Sequence, residues 1–166
     1  QAVQQMVGVL LVSVLLLFFI LAAQFESLVQ PFIILSEIVL DIFVVLVILY
    51  LLRLAIDLMS MTGLIVMAGI VINDSILKVD TINRHRKSGM PLFESIVKAG
   101  RERLLPILMT SLTTIFSLVP FLSGGSIGAD LQFPLSLTIL VGMVVGTGVS
   151  IFFVPILYYV IYRKRK

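Results

Sequence analysis

Four polar residues interrupt an apolar stretch near the middle of the chain and are the first candidates for chemistry. In the segment GIVINDSILKVDTINRHRK they are Asn73, Asp74, Lys78 and Asp80. On a helix, Asn73 and Asp80 share one direction because they are seven residues apart, and Asp74 and Lys78 are four apart and can pair. A charged side chain near the centre of a bilayer costs about 2.5 to 3.5 kcal/mol. We therefore predict that the four residues form one stripe that faces protein or water.

A second polar line follows further along the chain. Arg103, Thr110, Thr114 and Ser117 are spaced by seven, four and three residues, so they fall on one helical face. Arg103 would lie at the mouth of this line, with the hydroxyl groups deeper. The alternative is structural, since Thr and Ser in membrane helices often bond the backbone of their own helix.

Glu37 and Asp41 form a third candidate group. They are four residues apart with no cation between them, and their mutual repulsion favours protonation of one of them unless a cation reaches the pair. Coupled carboxylates, an Asp–Lys pair and a line of hydroxyls are what a proton path through a membrane requires. Two structural alternatives stay open. Asp80 and Glu37 can lie near the cytoplasmic surface, where a charge costs little free energy. Lys78 can be a structural partner of Asp74 or extend towards the cytoplasm.

The composition places these groups in a membrane protein. The chain has 166 residues, of which 60% are hydrophobic and 13% charged, and its mean hydropathy is +1.19. The absence of cysteine excludes disulfides and thiolate metal sites, and a single histidine, His85, argues against a metal site. Phosphate loops and nucleophile elbows are also absent. We therefore expect no enzyme, no metal, no nucleic-acid partner, and no cofactor other than a coupling proton.

Five apolar runs are long enough to cross a bilayer, which takes about 20 residues. The predicted fold is an all-α membrane protein with five transmembrane helices and one cytoplasmic interfacial amphipathic helix over residues 91–103. That helix rests on the spacing of apolar side chains in PLFESIVKAGRERLLP, and its alternatives are a solvated basic loop or a partner-binding segment. Polar breaks at QFESLVQP, RLAIDL and SGGSIGADLQFP separate the runs, and the predicted spans are 3–23, 32–54, 59–81, 104–122 and 133–162.

The basic residues predict the orientation. Of the twelve Lys and Arg residues, six lie between the third and fourth spans and four form the tail from Arg163 to Lys166, whereas the opposite connections hold only Arg53. By the positive-inside rule the basic side is cytoplasmic and the N-terminus is outside. The chain opens on QAVQQMVGVL without an initiator methionine. We therefore expect a piece of a longer protein in which an extracytoplasmic portion precedes the first span, and we expect contact with membrane lipids.

Four stretches resemble the C-terminal membrane half of a resistance–nodulation–division efflux transporter, of the hydrophobe/amphiphile branch. They are AAQFESLVQPFIIL, GLIVMAGIVINDSILKVDTIN, AGRERLLPILMTSLTTIFSLVPF and SIFFVPILYYV. The resemblance implies half of a twelve-helix bundle in a bacterial inner membrane, with the N-terminal half of the same transporter as its partner. It further implies a homotrimer driven by proton influx, a periplasmic adaptor, an outer-membrane channel, and drugs or other amphiphiles captured in periplasmic domains.

The resemblance also implies site residues. Thr110 and Arg103 match the relay threonine and the arginine at the cytoplasmic mouth, whereas Asn73 stands where well-studied drug pumps carry the relay lysine. Lys78, next to Asp74, is the candidate substitute. The alternative is another coupling ion or a different proton stoichiometry. Further hypotheses are a relative that exports metal ions, lipids or other cargo, and a non-transporting membrane scaffold.

Overall fold

The computed structural model describes residues 2–54, 56–122 and 128–164. Within these ranges the chain forms five α-helices, and each is long and apolar enough to cross a membrane. The prediction of an all-α membrane protein with five spans is confirmed. The helices are α1 (Ala2–Phe25), α2 (Val29–Leu51), α3 (Leu58–Lys87), α4 (Leu92–Leu122) and α5 (Ala129–Arg163).

The third helix packs against all four other helices, and the fifth packs against α2, α3 and α4, so α3 and α5 form the centre of the bundle and α1 lies against α2 and α3. Two apolar clusters fill the space between the helices. The larger one surrounds the buried ring of Tyr158 and includes Ile33, Val79 and Ile96, and the smaller one joins α2 to α3 around Met67. The end where α2 begins and α3 and α5 end is called the basic end below, because Arg84, Arg86 and Arg163 lie there.

Short turns join the helices. Glu26, after α1, has a left-handed backbone with φ of 49°, and Asp57 caps the start of α3 by accepting a 2.7 Å hydrogen bond from the backbone N–H of Ser60. The hydrogen bond from the backbone of Ser60 holds the pKa of the Asp57 carboxyl below its usual value. The predicted breaks are otherwise only partly described. Ala55, residues 123–127 and the last two residues of the tail lie outside the described ranges, while the ADLQFP part of the third break belongs to α5.

The predicted interfacial helix is not a separate element. Residues 92–103 are the first part of α4, which continues through Pro106 to Leu122. The 31 residues of α4 extend about 46 Å, well beyond the roughly 30 Å of a hydrocarbon core. The apolar side of this part packs on the bundle, since Ile96 and Ala99 are buried in the larger cluster and Phe93 contacts Tyr159 edge to face. Burial of these apolar side chains holds the first part of α4 against α3 and α5.

Glycines set the closest approaches of α5 to its neighbours. A methyl group at Gly142 would lie 2.3 Å from Cγ of Met67, and one at Gly146 would lie 2.6 Å from Cγ2 of Val71. At Gly63 of α3, a methyl group would lie 2.9 Å from the carbonyl oxygen of Leu135 in α5. The small residues therefore permit helix packing, as small-xxx-small steps do in membranes.

Replacing Gly63 by alanine tests this packing. The new methyl group meets backbone, which cannot move aside as a side chain can, so Gly63→Ala should destabilise the complete protein by about 1 to 3 kcal/mol. The measurement is its thermal unfolding in detergent. Gly69→Ala on the same helix is the control, because in the described part of the chain no atom of another helix lies within 4 Å of a methyl group there. An unfolding midpoint for Gly63→Ala equal to that of the control would contradict the close approach of α3 and α5.

Candidate functional site

A chain of hydrogen bonds crosses the interface of α2, α3 and α5 in the interior of the bundle. Ser75 of α3 donates to Oε2 of Glu37 in α2, and the hydroxyls of Ser75 and Ser150 lie 3.2 Å apart. The ammonium group of Lys78 donates to Oγ of Ser150 at 2.8 Å and also to its carbonyl oxygen. Lys78 is therefore bound within the five-helix bundle, on the side of α3 that faces α5.

Asp41 lies one turn beyond Glu37 on the same face of α2. Both carboxylates are closed off, with Glu37 0% and Asp41 1% exposed. Among the described residues, Oε1 of Glu37 and both carboxylate oxygens of Asp41 have no hydrogen-bond partner. A methyl group added at Gly146 would lie 3.3 Å from Oδ2 of Asp41, so the glycine leaves room for this carboxylate.

The predicted pairing of Asp74 with Lys78 does not occur. Within the described ranges, the ion pairs closer than 4.0 Å are Arg84–Asp80 and His85–Glu102. Lys78, at 2% exposed, turns towards the backbone and hydroxyl of Ser150. The reason is that helical spacing brings positions 74 and 78 near each other, but the oxygens of α5 offer the ammonium group better-placed acceptors.

The predicted single stripe on α3 is also divided between two faces. Asp74 and Lys78 are buried, whereas Asn73 is exposed and Asp80 is partly exposed, where it accepts a 3.2 Å hydrogen bond from Arg84. A turn of 100° per residue separates position 73 from position 78 by about 140°. One helix can therefore place two of the polar residues inward and two outward.

The hydroxyl line on α4 bonds to its own helix. Thr110 donates to the carbonyl oxygen of Pro106 at 3.0 Å, Thr114 to that of Thr110 at 2.9 Å, and Ser117 to that of Thr113 at 2.8 Å. This geometry agrees with the structural alternative. Thr110 is exposed in this chain and Thr114 is partly exposed, so the line lies on an uncovered face of α4.

Arg103 connects α4 to α3. Its Nε donates to Oγ1 of Thr81 at 2.8 Å, and Thr81 in turn donates to the carbonyl oxygen of Leu77 at 2.7 Å. Further along, the hydroxyls of Ser111 in α4 and Thr147 in α5 lie 2.5 Å apart. The bond between Arg103 and Thr81 holds α4 on α3. The contact between Ser111 and Thr147, further from the basic end, holds α4 on α5.

A second amide and hydroxyl network closes the basic end. Gln30 of α2 and Asn83 of α3 exchange two hydrogen bonds of 3.0 and 2.7 Å through their side-chain amides. The hydroxyl of Tyr158 donates to Oδ1 of Asn83 at 2.7 Å, and its ring stacks on that of Tyr162 with centroids 4.4 Å apart. The network fixes the ends of three helices next to the charged groups.

Sequence reasoning missed Ser75, Ser150 and Thr81 as members of these polar contacts. A lone serine or threonine in an apolar helix is a common residue, and only its neighbours across the interface show what it does. The signal that could have found Ser75 is its place beside Asp74 in an otherwise apolar run. Nothing in the local sequence of Ser150 distinguishes it from a packing residue.

The arrangement holds two polar systems of different kinds. Inside the bundle, two carboxylates, two hydroxyls and an ammonium group are closed off from solvent. On the outside, the side chains of Asn73 on α3 and Thr110 on α4 are exposed. A closed system can store or pass a proton, whereas an open polar face in a membrane requires a protein partner, because lipid offers no hydrogen bonds.

Comparisons with known proteins agree with this architecture. The 166-residue chain is matched over residues 1–162 by the profile of the AcrB/AcrD/AcrF family. It is 30% identical over 158 residues to the swarming motility protein SwrC of Bacillus subtilis, which covers 95% of the chain and 15% of SwrC. It is 32% identical over 154 residues to the toluene efflux pump membrane transporter TtgB of Pseudomonas putida, covering 93% of the chain and 15% of TtgB.

Two further comparisons extend the range of relatives. The multidrug resistance protein MdtC of Erwinia amylovora is 30% identical over 158 residues, covering 95% of the chain and 15% of MdtC. The crystal structure of a heavy metal efflux pump, crystal form II, superposes with a TM-score of 0.83 at 29% identity, covering 95% of this chain and 16% of that one.

The chain thus spans about 15% of the length of the curated relatives named here. The match to the family profile extends over nearly all of its 166 residues. The structural match includes the five helices that the hydropathy pattern predicts. The resemblance to resistance–nodulation–division transporters is confirmed, and this multi-pass membrane chain belongs to the AcrB/AcrD/AcrF family.

Proposed function

We propose that the chain is the C-terminal membrane part of a proton-driven efflux pump, in which its helices couple proton influx to motion of periplasmic domains. The observation that carries the proposal is that two polar side chains of membrane-spanning helices, Asn73 of α3 and Thr110 of α4, are both exposed in this chain; we assign them to one coupling face. The exposed amide of Asn73 on a membrane-spanning helix needs a partner that can hydrogen-bond, and the N-terminal half of the same transporter is the partner we assign. The hydroxyl of Thr110 donates to Pro106 and keeps its acceptor capacity for the same partner.

The coupling roles follow from this face. In our proposal Asn73 and Thr110 meet polar groups of the N-terminal half, Asp74 lies at the edge of the face at 9% exposed, and Arg103 lies nearer the basic end. Asp80 and Thr114 are flanking members. The position of Lys78, which is bound to Ser150 of α5, does not favour it as the cation of this face.

The setting of the pump is also part of the proposal. We place the chain in a bacterial inner membrane, with the N-terminus of the segment periplasmic and its basic end cytoplasmic, because of the cations at that end. The complete protein would be a homotrimer that works with a periplasmic adaptor and an outer-membrane channel. Membership of the AcrB/AcrD/AcrF family supports these partners.

For cargo, we propose drugs or other amphiphilic compounds. The names of two relatives support this class, since MdtC is a multidrug resistance protein and TtgB a toluene efflux pump. The second candidate is export of metal ions, which the similarity to a heavy metal efflux pump favours. Export of lipids or other cargo, and a scaffold without transport, are the remaining hypotheses.

The coupling roles are tested by two substitutions in the complete transporter. Asp74→Asn and Thr110→Val keep the shape of each side chain and remove a charge or a hydroxyl, and each should lower proton-linked dye efflux from vesicles by about a hundredfold or more. Trimer assembly should be unchanged. A parallel assay with metal ions as cargo separates the two cargo classes.

The matched controls lie on the same helix as Thr110. Thr113→Val removes a hydroxyl that bonds the carbonyl oxygen of Met109 in the same way, and Glu94→Gln removes an exposed carboxylate. Both should leave efflux unchanged. Full efflux in Asp74→Asn and Thr110→Val would contradict the coupling roles assigned to these residues. Efflux that persists without a proton gradient would refute the proposed function.

Arg103 gives a second test, because its Nε bonds to Thr81. A hydrogen bond to a charged group contributes about 1.5 to 3 kcal/mol, so Arg103→Lys, which lacks Nε, should lower the efflux rate about tenfold or more if the bond positions α4. Thr81→Val should have a similar effect. The double variant should be no slower than either single variant, and additive losses would show that the two residues act independently.

A further inference from the structure

The pair formed by Glu37 and Asp41, called the acid pair here, has no role in the coupling face proposed above. Three of its four carboxylate oxygens have no hydrogen-bond partner in the described part of the chain, and the fourth accepts from Ser75. With exposures of 0% and 1%, neither group reaches solvent in this chain. These are unpartnered polar groups in the interior, and they require a physical explanation.

A bound proton is the simplest explanation. A buried carboxylate without donors is costly, and two of them one turn apart also repel each other. The charged groups that interact electrostatically with Glu37 are Lys78 and Asp74 of α3. The one that interacts with Asp41 in this way is Glu37. Helix α1 carries no ionisable residue, and α5 contributes the hydroxyl of Ser150. Lys78 can balance one negative charge, which leaves the second to be neutralised.

The acid pair is connected to a route for that proton. The hydroxyls of Ser75 and Ser150, called the hydroxyl chain here, join Glu37 to Lys78 by successive hydrogen bonds. The hydrogen bonds at the two ends of the hydroxyl chain both run from Lys78 towards Glu37, since Lys78 donates to Ser150 and Ser75 donates to Glu37. If Ser150 donates to Ser75, every bond points towards the carboxylate.

The transfer along this route balances. A proton leaves the ammonium group of Lys78 for Oγ of Ser150, whose own proton moves to Oγ of Ser75, and the proton of Ser75 moves to Oε2 of Glu37. The products are a neutral amine, two intact hydroxyls and a carboxylic acid. Hydroxyl groups suit the transfer because each one both donates and accepts.

Lys78 also borders a cavity. Its volume is about 220 Å³, and its lining includes Gly100, Arg101 and Leu104 of α4 and Ile151 of α5. Most of the α4 lining belongs to the first part of that helix, which begins next to the basic end, and Arg101 in this lining is exposed. Protons can therefore exchange with Lys78 from that side while the acid pair itself stays closed.

We propose that the acid pair holds one proton inside this half of the transporter, and that the proton enters and leaves through the hydroxyl chain and Lys78. The ligand is a proton and not a metal ion, because the described residues offer no group of three or more His, Asp or Glu side chains that could hold a metal. This inference deepens the proposed function, on which it rests for the movement of the proton during transport. The site itself is independent of the cargo.

The first experiment detects the proton without transport. Infrared spectra of the purified complete transporter at neutral pH are compared between the wild type and the double variant Glu37→Gln/Asp41→Asn. The wild type should show the band of one protonated carboxyl that shifts in D₂O and is lost in the double variant. Glu94→Gln, which removes an exposed carboxylate of α4, should keep the band.

Three outcomes would overturn the site. One is a difference spectrum without a protonated carboxyl. Another is a band that survives in the double variant, and a third is a band that Na⁺ removes at constant pH, which would make the pair a Na⁺ site. The neutral double variant resembles the protonated pair and should assemble normally. If it does not, titration of the wild type decides, since a carboxyl band lost only at alkaline pH supports the proposal and no band at neutral pH contradicts it.

The second experiment tests the route. Exchange of the carboxyl proton for deuterium should be slower by about tenfold or more in Ser150→Ala, because the hydroxyl chain is then broken. Ser136→Ala is the matched control, as it removes another buried serine hydroxyl from α5. Equal exchange rates in the two variants would overturn the route. A band and route that persist in a pump whose efflux needs no proton gradient would refute the proposed function and leave the site intact.

Discussion

The inability of lipid to donate or accept hydrogen bonds is the constraint on which this structure depends. Each polar side chain on a membrane-spanning helix must find its partner in protein, and the five helices satisfy this in different ways. Lys78 takes the backbone carbonyl and hydroxyl of Ser150, and Arg103 takes the hydroxyl of Thr81. These hydrogen bonds between helices orient α3 against its neighbours. Apolar contacts alone do not fix that orientation, because lipid tails are as apolar as the side chains themselves.

The same constraint divides the polar groups into two systems. Among the described residues, the inner one, between α2, α3 and α5, is complete except for three of the four carboxylate oxygens of the acid pair. The outer one comprises an exposed amide on α3 and exposed hydroxyls on α4, and within the described ranges Thr110 bonds Pro106 of its own helix and no other helix. In our proposal a transporter built this way carries ionisable groups both at the junction of its halves and inside one of them.

Close packing makes the inner system possible. Gly142 and Gly146 allow α5 to approach α3 at Met67 and Val71, and Gly146 also adjoins the carboxylate of Asp41. The glycines that permit close helix packing thus also help to shape the polar interior. The segment before Arg103 shows the opposite effect, because its apolar residues docked on the bundle instead of forming a separate surface helix.

Sequence reasoning determined a large part of this picture. Hydropathy predicted the five spans, because the length and apolar character needed to cross a bilayer are local properties of the chain. The motifs around Asn73, Arg103 and Thr110 indicated the family, which the profile match confirms. The spacing of Glu37 and Asp41 also identified them as a pair on one helical face.

Only the tertiary structure decided which of these groups meet. Helical spacing predicted that Asp74 would pair with Lys78 and that four residues of α3 would share a stripe, yet Lys78 bonds to Ser150, which is 72 residues away in the chain. Spacing within a helix reports neighbours on that helix, whereas the partner of a buried charge is set by which helix packs against it and at what height. That information is spread over the contacts of α2, α3 and α5, so no single segment contains it.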